Sequence, residues 1–126
     1  MKAQDLPKVW DTPDLSRLSP KPTSIRLPVI LNAKISALGE MYPNKTKTDI
    51  INDLLASALE DLSNGLPSEA GEIIQESQAE GEEDLYDDIG LKGRFIRLTN
   101  KHITLLEQEL GNDKPDLLPY PVCEKD

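Results

Sequence analysis

Residues 21–47 contain the side chains best suited by type to bind a polyanion. The basic residues of this segment are Lys21, Arg26, Lys34, Lys45 and Lys47. Glu40 is the only acidic residue among them, so the five positive and one negative charges sum to +4, although the whole chain of 126 residues carries −9. Phosphate contact depends on local charge more than on net charge. The segment therefore favours a nucleic-acid partner within an acidic protein.

The acidic residues are concentrated in the second half of the chain. Residues 1–65 contain eight Lys/Arg and eight Asp/Glu, whereas residues 66–126 contain six basic and fifteen acidic residues and so account for the whole −9. Nine of these acidic residues, and no basic one, fall in residues 66–91. This composition is typical of a solvated, disordered linker, and we expect an acidic linker there. A segment that binds a toxin or mimics the charge of DNA is the alternative.

Enzymatic chemistry finds little support in the residue types. His102 is the only histidine and is expected to be exposed, and Cys123 lies in a Pro-rich tail with no histidine near it in sequence to activate it. The acidic cluster at 80–84 lacks the alternating ligands of a calcium loop. No Gly-rich phosphate loop occurs. We therefore expect no enzyme activity, no cofactor and no metal.

The chain also lacks a recognisable targeting or membrane signal. Its N-terminus has no apolar core of signal-peptide length, and no stretch approaches the roughly 20 apolar residues of a membrane span. A single cysteine agrees with a reducing compartment. We expect a cytoplasmic protein that is associated with the nucleoid when it is bound to DNA.

Residues 23–28 alternate between apolar and polar side chains, as a short β-strand does. The expected apolar face carries Ile25 and Leu27, and the opposite face carries Ser24 and Arg26. The proline that follows cannot donate a ladder hydrogen bond, so it ends the strand and suits the first turn of a helix. An extended, Pro-containing arm over residues 1–22 is predicted to precede this strand, with Trp10 docked loosely on the domain or a partner, or else reaching DNA or a dimer mate.

Two amphipathic helices are predicted to follow. The first carries an apolar stripe of Leu31, Ile35 and Leu38, continued by Met41 or Tyr42, and stops at Pro43-Asn44. Thr46 and Asp49 then form a near capping box, in which each side chain satisfies the other residue's amide. The second helix has a broad apolar face and ends at Asn64-Gly65; the face comprises Ile50, Ile51, Leu54, Leu55, Ala58, Leu59 and Leu62.

A strand and two helices of about forty residues bury too little apolar area to be stable alone, and a single strand leaves both edges unpaired. Dimerisation resolves both problems, because two strands pair antiparallel and four helices share one core. We expect the dimer core to contain Ile25, Leu27, Leu31, Ile35, Leu38, Ile50, Ile51, Leu54, Leu55, Ala58 and Leu59.

Residues 92–126 are predicted to form a small strand–helix unit with a Pro-rich tail. Residues 93–99 are strand-like, and a helix starts at Thr99 or Asn100 and ends at Gly111. The apolar side of that helix carries Ile103, Leu106 and Leu110. This unit is too small to fold by itself, so it is expected to pack on the dimer or to fold against a partner.

The segment from Thr23 to Leu62 resembles the ribbon-helix-helix family of repressors (Arc/MetJ/CopG type). Four features carry the resemblance: Ile25-Arg26-Leu27-Pro28, the stripe of Leu31, Ile35 and Leu38, the turn Thr46-Lys47-Thr48, and Ile50-Ile51-x-x-Leu54. It covers about a third of the chain. It implies a mostly α fold with a short β-strand, in which an intertwined homodimer pairs its strands as a two-stranded antiparallel ribbon, accompanied here by the small C-terminal strand–helix unit.

The resemblance also implies how DNA would be bound. The ribbon enters the major groove and its outward side chains read base edges, here Ser24 and Arg26 with Thr23 at the margin. The start of the second helix anchors a phosphate through its free amides and dipole. The residues expected to contact phosphate are Lys21, Lys45, Thr46, Lys47 and Thr48.

The function that these expectations favour is a sequence-specific, duplex-binding transcriptional repressor or autoregulator. An antitoxin is the main alternative, with the same DNA-binding dimer and a C-terminal region, 66–126, that neutralises a partner toxin. An accessory or architectural plasmid or phage protein is a third. The partners expected are double-stranded DNA and a second copy of the chain, with possible higher assembly on DNA.

Overall fold

The computed structural model describes residues 17–77, 81 and 83–125. The chain divides into two compact units, unit 1 (Met1–Leu62) and unit 2 (Ser63–Asp126). Its elements, in order, are α1 (Val29–Met41), α2 (Lys47–Gly65), β1 (Ala70–Gln75), β2 (Leu85–Asp88), α3 (Leu91–Glu109) and β3 (Val122–Cys123). Three helices and a small antiparallel sheet make a mixed α/β fold, which is compatible with the α-rich class that the sequence predicts. None of the helices in the described residues has both the length and the apolarity to cross a membrane.

Helix α1 forms where the sequence predicts it. It begins directly after Pro28, whose carbonyl accepts the amide of Asn32 at 3.0 Å, and it ends at Met41, two residues before Pro43. A proline suits the start of a helix because its missing N–H would have no partner there, and it disfavours helical geometry in the residue before it. The sequence-based boundaries of this helix are therefore confirmed.

Helix α2 begins with the predicted capping box. The hydroxyl oxygen of Thr46 accepts the amide of Asp49 at 3.0 Å, and the carboxylate of Asp49 accepts the amide of Thr46 at 3.4 Å. The carbonyl of Thr46 also accepts the amide of Ile50 at 3.1 Å, which opens the helical ladder. These reciprocal bonds confirm the predicted helix start, and the helix ends at Gly65, also as predicted.

The interior of unit 1 is centred on one side chain. Ile50 is 0% exposed and is the only fully buried hydrophobic residue in the described part of the chain. Four partly buried side chains pack against it, namely Ile35, Leu38, Tyr42 and Leu54. Of the two candidates for continuing the α1 stripe, Tyr42 packs in this core, whereas Met41 is 65% exposed.

The predicted strand over residues 23–28 forms neither helix nor strand within the single chain. A strand requires hydrogen bonds to a neighbour, and the neighbour expected here is the same segment of a second copy. The predicted arm is described from residue 17 onward, where residues 17–19 have no regular structure. Trp10 and the rest of residues 1–16 lie outside the described residues.

Unit 2 contains a three-stranded antiparallel sheet in the order β1-β2-β3. Strands β1 and β2 lie within residues 66–91, so the prediction of a disordered acidic linker is wrong there. Each strand contains two neighbouring apolar or aromatic residues, Ile73 and Ile74 in β1 and Leu85 and Tyr86 in β2. Ile73 pairs with Tyr86 and Gln75 with Leu85, so the sheet forms despite the density of acidic residues. The register shifts twice along β1, which marks it as an irregular edge strand.

Residues 93–99 are helical, and the prediction of a strand there is wrong. Helix α3 runs over Leu91–Glu109, and tertiary packing on the sheet overrides the β-propensity of Phe95, Ile96 and Thr99. Its predicted stop is confirmed, because Gly111 adopts a φ of +84°, a left-handed conformation in which glycine is favoured, and donates its amide to Gln108 at 3.0 Å.

Gly93 allows α3 to approach the end of β2. It is buried, and a Cβ placed on it would overlap the carbonyl oxygen of Asp88. The contact falls on backbone atoms, which cannot move aside as the end of a flexible side chain could. Helix α3 therefore requires glycine at this position for steric reasons, despite its poor helix propensity.

We expect Gly93→Ala to destabilise unit 2 by about 1–3 kcal/mol, because the added methyl group forces α3 away from β2. The matched control is Gly39→Ala in α1, where a Cβ would meet nothing within 4 Å. It should stabilise unit 1 by about 0.5–1 kcal/mol through helix propensity alone. Chemical denaturation followed by far-UV circular dichroism measures both. Equal effects of the two substitutions would contradict the steric explanation.

Candidate nucleic-acid interface

The predicted base-reading residues lie on an exposed, irregular segment that leads directly into α1. Thr23, Ser24 and Arg26 are all exposed, as is the predicted phosphate ligand Lys21. Ile25 is 65% exposed and Leu27 is half-buried, so the predicted apolar face of this segment is largely uncovered within the chain. Both the polar and most of the apolar side chains of the segment are thus exposed to solvent.

The start of α2 brings Lys47 next to α1. Its Nζ donates a hydrogen bond to the side-chain carbonyl oxygen of Asn32 at 2.6 Å, and the same oxygen accepts the hydroxyl of Ser36 at 3.4 Å. All three groups are exposed. This bond positions the ammonium group at the junction of the two helices without neutralising its charge, because an amide carries none. Asn32 and Ser36 were not predicted to take part, since fifteen residues separate Asn32 from Lys47.

Lys45, another predicted phosphate ligand, is less available. Its Nζ lies 3.8 Å from the Oδ2 of Asp53, and the two side chains are only 11% and 18% exposed. A carboxylate at this distance compensates part of the charge that would attract a phosphate. The cationic character of this helix start therefore depends more on Lys47 than on Lys45.

The first turn of α2 has backbone N–H groups without an intrahelical acceptor. The first amides of any α-helix lack intrahelical acceptors, and Thr46 satisfies those of Asp49 and Ile50. The amides of Lys47 and Thr48 remain as donors for an external anion, aided by the helix dipole. The Asp49 carboxylate disfavours binding of an anion here, because its negative charge lies in the first turn of α2 and offsets part of the positive end of the helix dipole.

The predicted dimer core separates into three groups in the single chain. Ile35, Leu38, Ile50 and Leu54 pack together. Leu27 and Ile51 are half-buried. The remaining members, Ile25, Leu31, Leu55, Ala58 and Leu59, are exposed. The exposed members lie on the N-terminal segment and both helices, and so provide a large apolar surface for a partner.

Unit 2 contains a polar cluster that was not predicted. Asp88, at the end of β2, is only 1% exposed, and its Oδ1 accepts the amides of Glu69 at 3.1 Å and Gly90 at 3.0 Å. Burial raises the pKa of this carboxyl group, while hydrogen bonds from the Ser68 side chain and these two amides, with the charge of Arg97, lower it. The hydrogen bonds prevail, and the pKa lies below the ordinary value of an aspartic acid.

Arg97 of α3 connects this cluster to the C-terminal tail. Its Nη2 donates to the Oδ1 of Asp87 at 2.6 Å and to the carbonyl of Asp88 at 2.7 Å. The Tyr120 hydroxyl donates to the same Asp87 oxygen at 3.0 Å, and the Tyr120 ring lies 5.7 Å from the guanidinium carbon. These contacts connect the sheet, α3 and the C-terminal tail. Their role in stabilising the fold explains them without a ligand.

Among the residues that the structure describes, no group of three or more His, Cys, Asp or Glu side chains could hold a metal ion. His102 is exposed and Cys123 is half-buried. No protein family model, curated protein or solved structure matches the chain. The candidate interface therefore rests on the residues and geometry described above.

The pKa of Asp88 predicts how the stability of unit 2 depends on pH. Because the folded-state pKa is lowered, the ionised carboxylate stabilises the fold above the ordinary aspartate pKa, and this contribution is lost as pH falls through the lowered value. We expect Asp88→Asn to cost about 1–3 kcal/mol at neutral pH and to flatten the acid limb from the ordinary aspartate range downward. Denaturation midpoints measured across that range, with the exposed Asp116→Asn as control, test this. An unchanged acid limb in Asp88→Asn would contradict it.

Proposed function

We propose that unit 1 is the DNA-binding half of a homodimeric transcriptional repressor or autoregulator of the ribbon-helix-helix type. The observation that carries the proposal is the exposed segment 22–28, which has base-reading side chains, an uncovered Ile25 and a direct connection to α1. Pairing this segment with its copy would form the two-stranded ribbon.

Burial supports the dimer. A unit that completely buries only Ile50 among its described hydrophobic residues falls short of what a stable core needs, and the exposed Leu31, Leu55 and Leu59 provide the missing apolar surface. In the proposed dimer these side chains enter a common four-helix core. Strand pairing would satisfy the backbone groups of the segment along one edge and cover Ile25.

The polar face of the ribbon suits the major groove, which admits a two-stranded β-ribbon. Arg26 would contact guanine O6 and N7 in a bidentate manner, and Ser24 would accept or donate with less discrimination. Lys47, with the amides of the first turn of α2, would fix the adjacent phosphate, and Lys21 would add charge at the margin. Phosphate contacts set the position of the protein on the duplex, and base contacts set the sequence.

The test begins with selection of bound duplexes from a random pool by the full chain. On the selected duplex, Arg26→Ala should weaken binding about 10- to 100-fold, because one bidentate base contact contributes about 1–3 kcal/mol of discrimination. Lys34→Ala removes the same charge from an exposed site on α1 outside the ribbon and should change affinity by less than about threefold. Fluorescence anisotropy over a range of salt concentrations measures both variants.

Three outcomes would count against this function. If the full chain enriches no duplex, it lacks sequence-specific binding. If binding does not weaken as salt rises, phosphate contacts are absent, because such contacts must release counterions. An equal loss in Arg26→Ala and Lys34→Ala would show that charge alone, and no base contact, accounts for binding.

A second candidate function, the antitoxin, is favoured by one feature of unit 2. β1 is an edge strand of the sheet, it contains the acidic residue Glu72, and its Ile73 and Ile74 are exposed. An edge of this kind can add a strand from a basic partner protein.

Ile74→Lys should abolish capture of such a partner and spare the DNA binding of unit 1, with Leu117→Lys in the tail as control. Capture that persists in Ile74→Lys would exclude this edge.

A further inference from the structure

Residues 117–123, which we call the strap, follow α3 and connect it to the sheet of unit 2. At the start of the strap, the Asn100 side chain of α3 donates to the carbonyl of Leu118 at 3.1 Å and accepts the amide of the same residue at 2.8 Å. At its end, Val122 and Cys123 form β3 and pair with β2. Backbone hydrogen bonds therefore hold the strap at both ends.

The middle of the strap is attached to β2 by two further hydrogen bonds. The Tyr120 hydroxyl donates to the Oδ1 of Asp87 at 3.0 Å, and the carbonyl of Pro121 accepts the amide of Asp88 at 3.2 Å. Neither bond depends on burial of an apolar side chain. The attachment of the strap is thus polar along its whole length.

The strap buries little apolar surface. Pro121 is its one buried residue, while Leu117, Leu118, Tyr120 and Val122 are 50%, 43%, 59% and 40% exposed. A segment with few buried apolar contacts opens at a lower free energy than the core of its domain. The pairing of β1 with β2 does not involve the strap, so release of the strap leaves that pairing in place.

We propose that the strap opens as one unit while the rest of unit 2 stays folded, and that this opening unpairs the second edge of β2. In the closed state β3 occupies that edge. In the open state β2 is paired on the β1 side alone, and Asp87 loses its bond from Tyr120. An unpaired edge is the feature to which another chain can add a strand. The closed strap therefore withholds this edge from strand addition, and the device does not rest on DNA binding.

Two neighbouring backbone amides report the two sides of β2 separately. The amide of Asp88 donates to Pro121 of the strap at 3.2 Å, whereas the amide of Ile89 donates to Glu69, next to β1, at 2.8 Å. Cys123, the one cysteine of the chain, lies half-buried in β3 and adds a chemical probe. We call the Asp88 amide and the Cys123 thiol the strap probes. Opening of the strap makes both accessible in one event and leaves the Ile89 amide protected.

The first experiment uses the full wild-type chain without DNA. Amide hydrogen exchange is followed by NMR, and Cys123 is labelled with a maleimide, over a series of low denaturant concentrations. After correction for intrinsic rates, we expect the Asp88 amide to exchange at least about tenfold faster than the Ile89 amide and with a weaker dependence on denaturant, because a local opening exposes less surface than unfolding of the unit. Equal protection and equal denaturant dependence of the two amides would overturn the proposal.

Two substitutions weaken the strap at different points and leave the probes themselves intact. Asn100→Ala removes both bonds to Leu118, and Tyr120→Phe removes the bond to Asp87 but keeps the ring. Within each variant, both strap probes should accelerate by one common factor, about 2- to 10-fold for each hydrogen bond lost. Exchange of the Ile89 amide should not change.

Thr104→Ala is the matched control, because the Thr104 hydroxyl donates to the carbonyl of Asn100 within α3 at 3.0 Å. It should leave the strap probes and the Ile89 amide unchanged. If neither strap variant accelerates both probes, the strap does not open as a unit. Acceleration of the Ile89 amide by the same factor would show unfolding of unit 2 as a whole, and equal acceleration in Thr104→Ala would attribute the effect to α3; either result overturns the proposal. Because no DNA is present, these results are independent of whether the chain selects a duplex.

Discussion

The burial of Ile50 is the constraint on which unit 1 depends. This side chain joins α1 to α2, with Ile35 and Leu38 on one side and Leu54 on the other. Ile50 is the one core hydrophobic side chain of the described residues that is completely buried. A core of this size stabilises the relative placement of two helices but leaves most of their apolar surface in water, which is costly at roughly 25 cal/mol per Å². The proposed dimer would remove part of this cost, because it would cover apolar side chains that the single unit leaves exposed.

Unit 2 is organised by polar contacts as much as by apolar ones. The buried carboxylate of Asp88 accepts backbone amides from the residue before β1 and from the turn after β2, and Gly93 brings α3 against the same residue. This arrangement restricts which residues fit at the two positions. A buried carboxylate without hydrogen-bond partners would destabilise the fold, and a Cβ at position 93 would overlap Asp88. The many acidic residues of unit 2 thus include Asp88, which the fold requires, and others that are exposed to solvent.

The sequence predicted the features whose causes are local. Pro28, the Thr46 and Asp49 pair, and Gly111 set helix ends through backbone chemistry within a few residues, and all three were located correctly. The strands of unit 2 and the true start of α3 were not predicted, because they depend on pairing and packing between segments that are distant in sequence. The many acidic residues of residues 66–91 also made the few apolar ones there a weak strand signal. The bond between Lys47 and Asn32 has no sequence signal, since it arises only when the two helices pack. The strand over residues 23–28 remains a prediction, because the single chain gives this segment no strand to pair with.

The position of β3, after α3 but paired with β2, has a consequence for synthesis on the ribosome. Unit 1 is complete when residue 62 has emerged, whereas the sheet of unit 2 gains its third strand, and Asp87 its bond from Tyr120, only once residues 120–123 have been made. Domains generally fold as units in the order of synthesis. Unit 1 can therefore fold while the sheet of unit 2 is still open, and the buried Ile50 is in place before Asp87 gains its bond from Tyr120.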